Sequence, residues 1–164
     1  MTIEVREALP EEYPEAGAVT ALAYREFARP GEDDWHEYLD RIADVAERAQ
    51  RTTILVAVEG GRILGSATLE LIDRVEEEGR ELDREEAHVR MLGVDPAARG
   101  RGVARALMEG CFEMARGAGK TFVTLHTTAR MEAAQRMYES LGFERSEDRV
   151  FPDGFVLLSY RRKI

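Results

Sequence analysis

The spacing of apolar residues predicts an alternating series of strands and helices. Short stretches in which apolar and polar residues alternate, or in which apolar residues run continuously, are typical of strands. They lie at residues 3–6, 53–58, 63–72, 89–94, 121–127, 146–151 and 155–161. Apolar residues that recur every three or four positions predict four helices. These are residues 10–29, a segment capped by Asp33 and Asp34 with an apolar stripe at Trp35, Leu39, Ile42, Val45 and Ala46, residues 103–116, and residues 130–141.

The order of these elements indicates a mixed sheet. Residues 59–62 contain Gly60 and Gly61 between two predicted strands, which is typical of an antiparallel hairpin. Later in the chain, strands alternate with helices, as in parallel units. The fold class expected is therefore α/β, and no linker or repeat points to a second domain within residues 1–164.

The most informative stretch runs from Ala87 to Arg116. A strand-length apolar run ends at Val94, and Pro96 interrupts it because proline cannot pair within a sheet. Four residues rich in arginine and glycine follow, and a helical pattern then begins at Val103. The sequence thus predicts a strand, a basic glycine turn and a helix.

This glycine turn, residues 99–104, has the composition of an anion site. A helix begins with unpaired N–H groups and a partial positive charge, which favour phosphate. Gly100 and Gly102 let the backbone approach a ligand closely, and Arg99 and Arg101 add forked donors. The alternative is an ordinary turn with two solvated arginines. The chain lacks the Gly-Lys-Ser/Thr of a Walker loop at this turn, and it lacks GxGxxG.

Two motifs together indicate a family. Residues 99–104, RGRGVA, fit the pattern Arg/Gln-x-x-Gly-x-Gly/Ala, and residues 134–143, AQRMYESLGF, fit A-x-x-x-Y-x-x-x-G-F. In this order, with a strand between them, they resemble the GCN5-related N-acetyltransferases (GNAT). The resemblance implies a single domain over residues 1–164, with a mixed, mostly antiparallel sheet that is flanked by helices and whose central strands splay apart.

The resemblance also implies an activity. It predicts an enzyme that uses acetyl-CoA as cosubstrate and moves the acetyl group to a primary amine of a small molecule or peptide by direct attack. The alternative is a non-catalytic acyl-CoA-binding module with the same fold. The cofactor-binding residues that the resemblance implies are Leu92, Gly93, Val94, Arg99, Gly100, Arg101, Gly102, Val103, Ala104, Ala134 and Tyr138.

Two residues are candidates for catalysis. The resemblance makes Tyr138 a proton donor to the departing thiolate, whereas its helical spacing alone would favour a tyrosine in the core. His88 lies where many relatives carry a glutamate that acts as base, and imidazole can take a proton at neutral pH. A structural role for His88 is the alternative, His126 is a weaker rival, and Glu85 and Glu86 are expected to be loop carboxylates.

A further departure from the family pattern is Met131, seven residues before Tyr138, where many relatives carry an asparagine that contacts the cofactor. Methionine is a weak hydrogen-bonding group, so that contact is in doubt. Thr127, Thr128 or Arg130 could replace it.

Composition narrows the partners. The chain has 164 residues, a net charge of −9 and one cysteine. This charge argues against nucleic acid as a partner and favours a cationic substrate. We expect a cytoplasmic protein because no signal peptide or membrane-length apolar run is visible, and we expect no metal because the histidines and the cysteine have no ligand spacing. The acidic residues 73–86 predict either a solvated connection or a rim that attracts an amine. A homodimer is compatible with the sequence.

Overall fold

The structure is a computed structural model that describes residues 2–27, 34–72, 74–75 and 79–164. Its strands are β1 (Glu4–Glu7), β2 (Thr53–Glu59), β3 (Arg62–Glu70), β4 (Arg74–Val75), β5 (Arg80–Glu81), β6 (Glu86–Val94), β7 (Phe122–Thr127), β8 (Glu144–Arg145), β9 (Arg149–Val150) and β10 (Val156–Lys163). Its α-helices are α1 (Tyr13–Arg25), α2 (Asp34–Ala43), α3 (Val45–Arg48), α4 (Val103–Gly117) and α5 (Glu132–Ser140).

The main sheet is mixed and mostly antiparallel, as predicted. Its strand order is β1-β2-β3-β6-β7-β10-β8, with β9 also paired to β10, while β4 and β5 form a separate hairpin. Every pair in the main sheet is antiparallel except β6 with β7. That parallel ladder runs only from Glu86 opposite Phe122 to Val89 opposite Leu125. Beyond it the two central strands separate, which confirms the predicted splay.

A bulge in β6 accompanies the splay. Met91 has a φ of +53°, and the register between β3 and β6 shifts between Ser66 and Thr68. Before the bulge, Ala87 and Val89 pack into the cluster that contains α4, whereas Met91 packs against α1 and α2 on the opposite face. After the bulge, Leu92 again packs against the α4 cluster. The extra residue therefore bends the strand and exchanges its two faces.

The sheet is buried on both sides. On one face, α4 packs Leu107, Cys111 and Phe112 onto the inner strands. On the other face, Ala16 of α1 and Val45 of α3 pack against alternate residues of β2. Burial on both faces explains why β2 has a continuous apolar run.

Several element boundaries differ from the prediction. The first helix ends at Arg25 and the second breaks after Ala43, because Asp44 adopts a non-helical conformation and its side chain accepts the N–H of Glu47 at 3.2 Å. The acidic segment is not a plain connection, since it contains the β4–β5 hairpin. The predicted strand at residues 146–151 shortens to β9. The helix stop at Pro30 and Gly31, the cap at Asp33 and the side chain of Trp35 lie outside the described residues.

Candidate active site

The glycine turn adopts the conformation that its two glycines allow. Gly100 and Gly102 have φ values of +79° and +80°, and a Cβ atom built on either would meet nothing within 4 Å. Gly102 is the N-cap of α4, and its carbonyl oxygen accepts the first bond of the helix from Ala106 at 3.0 Å. The amides between Gly102 and Ala106, including those of Val103 and Ala104, lie in the first turn of α4, where N–H groups have no acceptor within the helix. The turn therefore combines free donors with open space.

Each arginine of this turn has a carboxylate partner. Arg99 pairs with Glu26, just after α1, at 2.7 Å, and Arg101 pairs with Glu59 of β2 at 2.6 Å. Both guanidinium groups remain about half exposed, at 44% and 45%. Glu26 is also about half exposed, at 45%, whereas Glu59 is only 15% exposed. Exposed ion pairs contribute only about 0–1 kcal/mol, so Arg99 can exchange its carboxylate for a phosphate at little cost.

The strand before the turn supplies a backbone edge. Leu92, Gly93 and Val94 belong to the part of β6 that lies beyond its ladder with β7. The side chains of Leu92 and Val94 pack against the α4 cluster, and a Cβ atom on Gly93 would approach Thr20 of α1 at 3.1 Å. The side chains of Leu92 and Val94 therefore pack in the core, while the backbone of this segment lies on the side of β6 that faces β7.

Tyr138 lies in the core. Its ring is 5.9 Å from that of Phe143 and 6.0 Å from that of Tyr160, and only 6% of the residue is exposed. Burial raises the pKa of the Tyr138 phenol above its usual value, so the hydroxyl stays protonated at neutral pH. Ala134, one turn earlier on α5, packs against the same cluster. The core position that helical spacing suggested is thus observed, and it preserves a proton that the phenol could donate.

His88 lies in a hydrogen-bonded group on the sheet face opposite α4. It is buried, and its Nδ1 is 2.8 Å from the Oγ1 of Thr124 and 3.4 Å from Nη2 of Arg80. The hydroxyl of Thr124 also contacts Glu86 through a short hydrogen bond. The ring of His126 lies 5.3 Å from that of His88 between centroids.

The prediction of a loop carboxylate at Glu86 is wrong. Glu86 begins β6, is only 3% exposed and accepts two hydrogen bonds from Arg80, at 2.9 and 2.7 Å. Burial raises the pKa of its carboxyl, but the hydrogen bonds from Arg80, Thr124 and the Asp83 amide outweigh burial and hold the pKa below its usual value. The sequence did offer a signal for this position. Glu86 lies two residues before His88, and residues with this spacing share one face of a strand.

A cleft of about 630 Å³ opens beside this group. Its lining includes Arg80, Asp83, Glu86, Thr124, His126 and Ser159. His126 is held there by a 2.9 Å hydrogen bond between its Nδ1 and the Ser159 hydroxyl. The acidic segment therefore does form part of a cleft wall, although it contributes an arginine as well as carboxylates.

Comparison with known proteins identifies the family. Residues 5–143 match the profile of the Acetyltransferase (GNAT) family. The chain belongs to this family. This match confirms the family predicted from the two motifs. Members of the GNAT family are acyltransferases that use acetyl-CoA.

Individual GNAT relatives are diverse. The chain is 32% identical to glucosamine 6-phosphate N-acetyltransferase of Trypanosoma brucei brucei, over 65% of this chain and 70% of that protein. It is 34% identical to the N-alpha-acetyltransferase RimI of Mycobacterium tuberculosis, over 54% of this chain and 50% of that protein. For two other curated relatives, the match covers only 38% and 32% of their length.

Solved GNAT structures share the fold. The Salmonella typhimurium protein yncA, solved with its cofactor acetyl-CoA, superposes with a TM-score of 0.72 at 20% identity, covering 99% of this chain and 94% of that one. Within the described part of the present chain, no helix is long and apolar enough to cross a membrane. The same residues contain no group of three or more His, Cys, Asp or Glu side chains suited to a metal ion.

Met131, where the family pattern has an asparagine, makes a local contact in this GNAT chain. Met131 precedes α5, and its Sδ accepts a hydrogen bond from the hydroxyl of Thr127 at 3.3 Å. The carbonyl of Thr128 accepts a hydrogen bond from Gln135 at 2.9 Å. Both threonines thus support the start of α5, and neither has the amide group that the family pattern places here.

Proposed function

We propose that this chain is an N-acetyltransferase that moves the acetyl group of acetyl-CoA to a primary amine of a small molecule or peptide. The observation that carries the proposal is the continuity of one route through the structure. The ladder between β6 and β7 ends at Val89, β6 continues beyond it to Val94, and the glycine turn follows this strand before α4. A long cosubstrate with an anionic end matches such a route.

Each part of the route has a proposed role. The amides of Gly100 to Ala104, with Arg99 and Arg101, would bind the pyrophosphate. The backbone of Leu92, Gly93 and Val94 would bind the pantetheine arm, and one of these N–H groups would stabilise the oxyanion. Ala134 and Tyr138 on α5 would border the thioester from the other side.

The reaction requires two proton movements. The neutral amine attacks the thioester carbonyl carbon, the C–N bond forms and the C–S bond breaks, with no acyl-enzyme intermediate. The amine nitrogen loses a proton to a base, for which we propose His88, with His126 or water as the alternatives. The phenol of Tyr138, kept protonated by burial, gives a proton to the leaving thiolate.

The acceptor would enter from the cleft beside His126. Carboxylates at Glu81, Asp83 and Glu147 line it together with Arg80, Arg149 and Arg161. This mixture favours an acceptor that carries an anionic or polar group as well as its amine. The net charge of −9 favours the approach of a cationic amine.

The alternative is a non-catalytic acyl-CoA-binding module. The aromatic packing of Tyr138 favours it, because a core tyrosine can be retained for packing alone. Thiol release from acetyl-CoA, measured with a panel of small amines, amino acids and peptides, separates the two functions. We expect amine-dependent thiol release with a matching amide product. Acetyl-CoA binding without turnover for the whole panel would favour the module.

The role of His88 is tested by the pH dependence of kcat/KM with acceptors of different pKa. An ionisation that stays fixed across acceptors belongs to the enzyme, whereas one that follows the acceptor belongs to the amine. His88→Gln should abolish the fixed ionisation and should reduce turnover more for strongly basic amines. Equal losses for all acceptors, together with lower thermal stability, would make His88 structural.

A further inference from the structure

Four side chains on three strands form a continuous chain of contacts, in which Glu86 and His88 are buried and Arg80 and Thr124 are partly buried. Arg80 of β5 binds Glu86 of β6 through both guanidinium nitrogens, Glu86 contacts Thr124 of β7, and Thr124 Oγ1 lies 2.8 Å from Nδ1 of His88. Glu86 and His88 pair directly with Phe122 and Thr124 in the parallel ladder between β6 and β7. The ladder therefore fixes the relative positions of Glu86, His88 and Thr124.

The direction of each hydrogen bond follows from the groups involved. Glu86 is ionised at neutral pH, so its carboxylate only accepts hydrogen bonds. The hydroxyl of Thr124 has a single hydrogen, which it must donate to Glu86. Its oxygen can then only accept from His88, which means that Nδ1 of His88 carries the proton. The lone pair of the neutral imidazole is therefore on Nε2.

The contact with Arg80 is the weaker of the two at Nδ1 of His88. One hydrogen of its Nη2 is donated to Glu86 at 2.7 Å, and the other lies towards Nδ1 of His88 at 3.4 Å, whereas Thr124 Oγ1 is only 2.8 Å from Nδ1. The shorter contact with Thr124 therefore decides the assignment. The Nδ1–H assignment follows from the Thr124 and Glu86 contacts and does not depend on the second nitrogen of the ring.

The surrounding charges are largely paired. Among the described residues, the titratable and charged groups that the packed strands and helices place around His88 include Arg48 of α3, Glu70 of β3, Arg80 of β5, Glu86 and Arg90 of β6, and His126 of β7. Glu70 lies opposite His88 in the ladder and is 3.2 Å from Arg90, just as Glu86 is bound to Arg80. Glu70 and Glu86 thus each have an arginine partner.

We propose that Thr124 and Glu86 are positioning residues that hold His88 as the Nδ1–H tautomer and present Nε2 as the proton acceptor. For catalysis this rests on the proposed function, in which His88 takes the proton of the attacking amine. The assignment of the tautomer itself does not depend on turnover. In this arrangement Thr124 connects the buried carboxylate of Glu86 to the proposed base. It orients the imidazole in the way that a directly bonded carboxylate does in other enzymes.

The imidazole nitrogens can be observed directly. In the full chain labelled with ¹⁵N-histidine, the signals of His88 are identified by their loss in His88→Gln. We expect the wild-type pattern of a protonated Nδ1 and an unprotonated Nε2 near neutral pH. A protonated Nε2 with a bare Nδ1 in the wild-type protein would overturn the proposal without any variant.

Two substitutions of Thr124 form a matched pair. Thr124→Val keeps the shape of the side chain but removes the hydroxyl, and Arg80 can then donate to Nδ1, so we expect the proton to move to Nε2. Thr124→Ser keeps the hydroxyl and should retain the wild-type tautomer. A Thr124→Val protein with an unchanged tautomer would refute the proposal.

The same pair separates this inference from the proposed function. Thr124→Val should lower kcat by about 10²-fold, with little change in the KM for acetyl-CoA, and Thr124→Ser should restore most of that loss. If the tautomers follow the expectation while no amine is acetylated, the proposed function fails and the assignment of the tautomer stands. If amines are acetylated and Thr124→Val leaves kcat unchanged, the positioning role is refuted.

Discussion

Replacing Gly102 by alanine tests the pyrophosphate site of the proposal. Gly102 has a φ of +80°, a left-handed conformation that costs a residue with a Cβ atom about 1–2 kcal/mol. Gly119, after α4, has the same φ of +80° and equally open surroundings, but it lies outside the glycine turn. Gly102→Ala and Gly119→Ala should therefore reduce the free energy of unfolding by similar amounts.

Ligand binding should separate the two variants. The methyl group of Gly102→Ala would occupy space that the proposal gives to the pyrophosphate, and crowding of this kind costs about 1–3 kcal/mol. This corresponds to a Kd for CoA that rises about 5- to 150-fold. Pantetheine lacks the pyrophosphate, so its affinity should change little. Gly119→Ala should bind both ligands as the wild-type protein does.

Isothermal titration calorimetry of both ligands with the three proteins provides the measurement, and urea unfolding verifies the matched strain. Equal losses for CoA and pantetheine in Gly102→Ala would refute the assignment of the pyrophosphate to this turn. An unchanged CoA affinity in a variant with the expected loss of stability would refute it as well.

Three other predictions concern the proposed proton donor, an ion pair and the packing of a helix. Tyr138→Phe should lower kcat by about 10²-fold with little change in acetyl-CoA affinity, and an unchanged rate of single turnover would contradict the donor role. Hydrogen bonds from Arg6 lower the pKa of the Glu12 carboxyl from 4.5 to about 2. The stabilisation of the folded protein by this ion pair should be complete above pH 4.5 and lost as the pH falls towards about 2. Glu12→Gln should therefore flatten the pH dependence of the free energy of unfolding in that window. An equally steep dependence in the variant would contradict this. A Cβ atom on Gly17 would lie 2.0 Å from the carbonyl oxygen of the last residue of α2, whereas one on Gly117 meets nothing within 4 Å. Gly17→Ala should therefore lower the free energy of unfolding by about 1–3 kcal/mol or more, and Gly117→Ala should raise it by about 0.5–1 kcal/mol. Changes of the same sign for both variants in urea unfolding would contradict this packing.

The parts of the site that sequence could predict are local. The strand, glycine turn and helix from Ala87 to Arg116 follow one another along the chain, so their residue types carry the signal without knowledge of distant contacts. The sheet type also followed from the order of a hairpin and later strand–helix units. The role of each site residue stays a prediction until it is tested by substitution.

The bulge at Met91 could not be predicted from the periodicity of apolar residues. A regular alternation continued through β6 would have placed Met91 with Ala87 and Val89, whereas the structure places it on the opposite face. The left-handed φ of a methionine has no local sequence signal, since methionine rarely adopts it. The packing of α1 and α2 on that face overrides the local pattern.

Buried polar groups were missed for a similar reason. Glu86 resembled its acidic neighbours, and only the register of β6 with β7 and the position of the β4–β5 hairpin bring Thr124 and Arg80 to it. Arg48 is also buried, where it donates to the carbonyl oxygens of Arg41 at 2.6 Å and Ile42 at 2.9 Å at the end of α2. Such partners are set by tertiary contacts, so a single sequence does not reveal them.

The proposed reaction is direct transfer of an acetyl group from acetyl-CoA to an amine in one ternary complex. Initial rates measured while both substrates are varied test it most directly, with thiol release and amide formation followed in the same samples. Direct attack predicts intersecting double-reciprocal lines and equal amounts of thiol and amide. Parallel lines, which are the signature of a covalent acetyl-enzyme, or thiol release that does not depend on the amine, would contradict the claim.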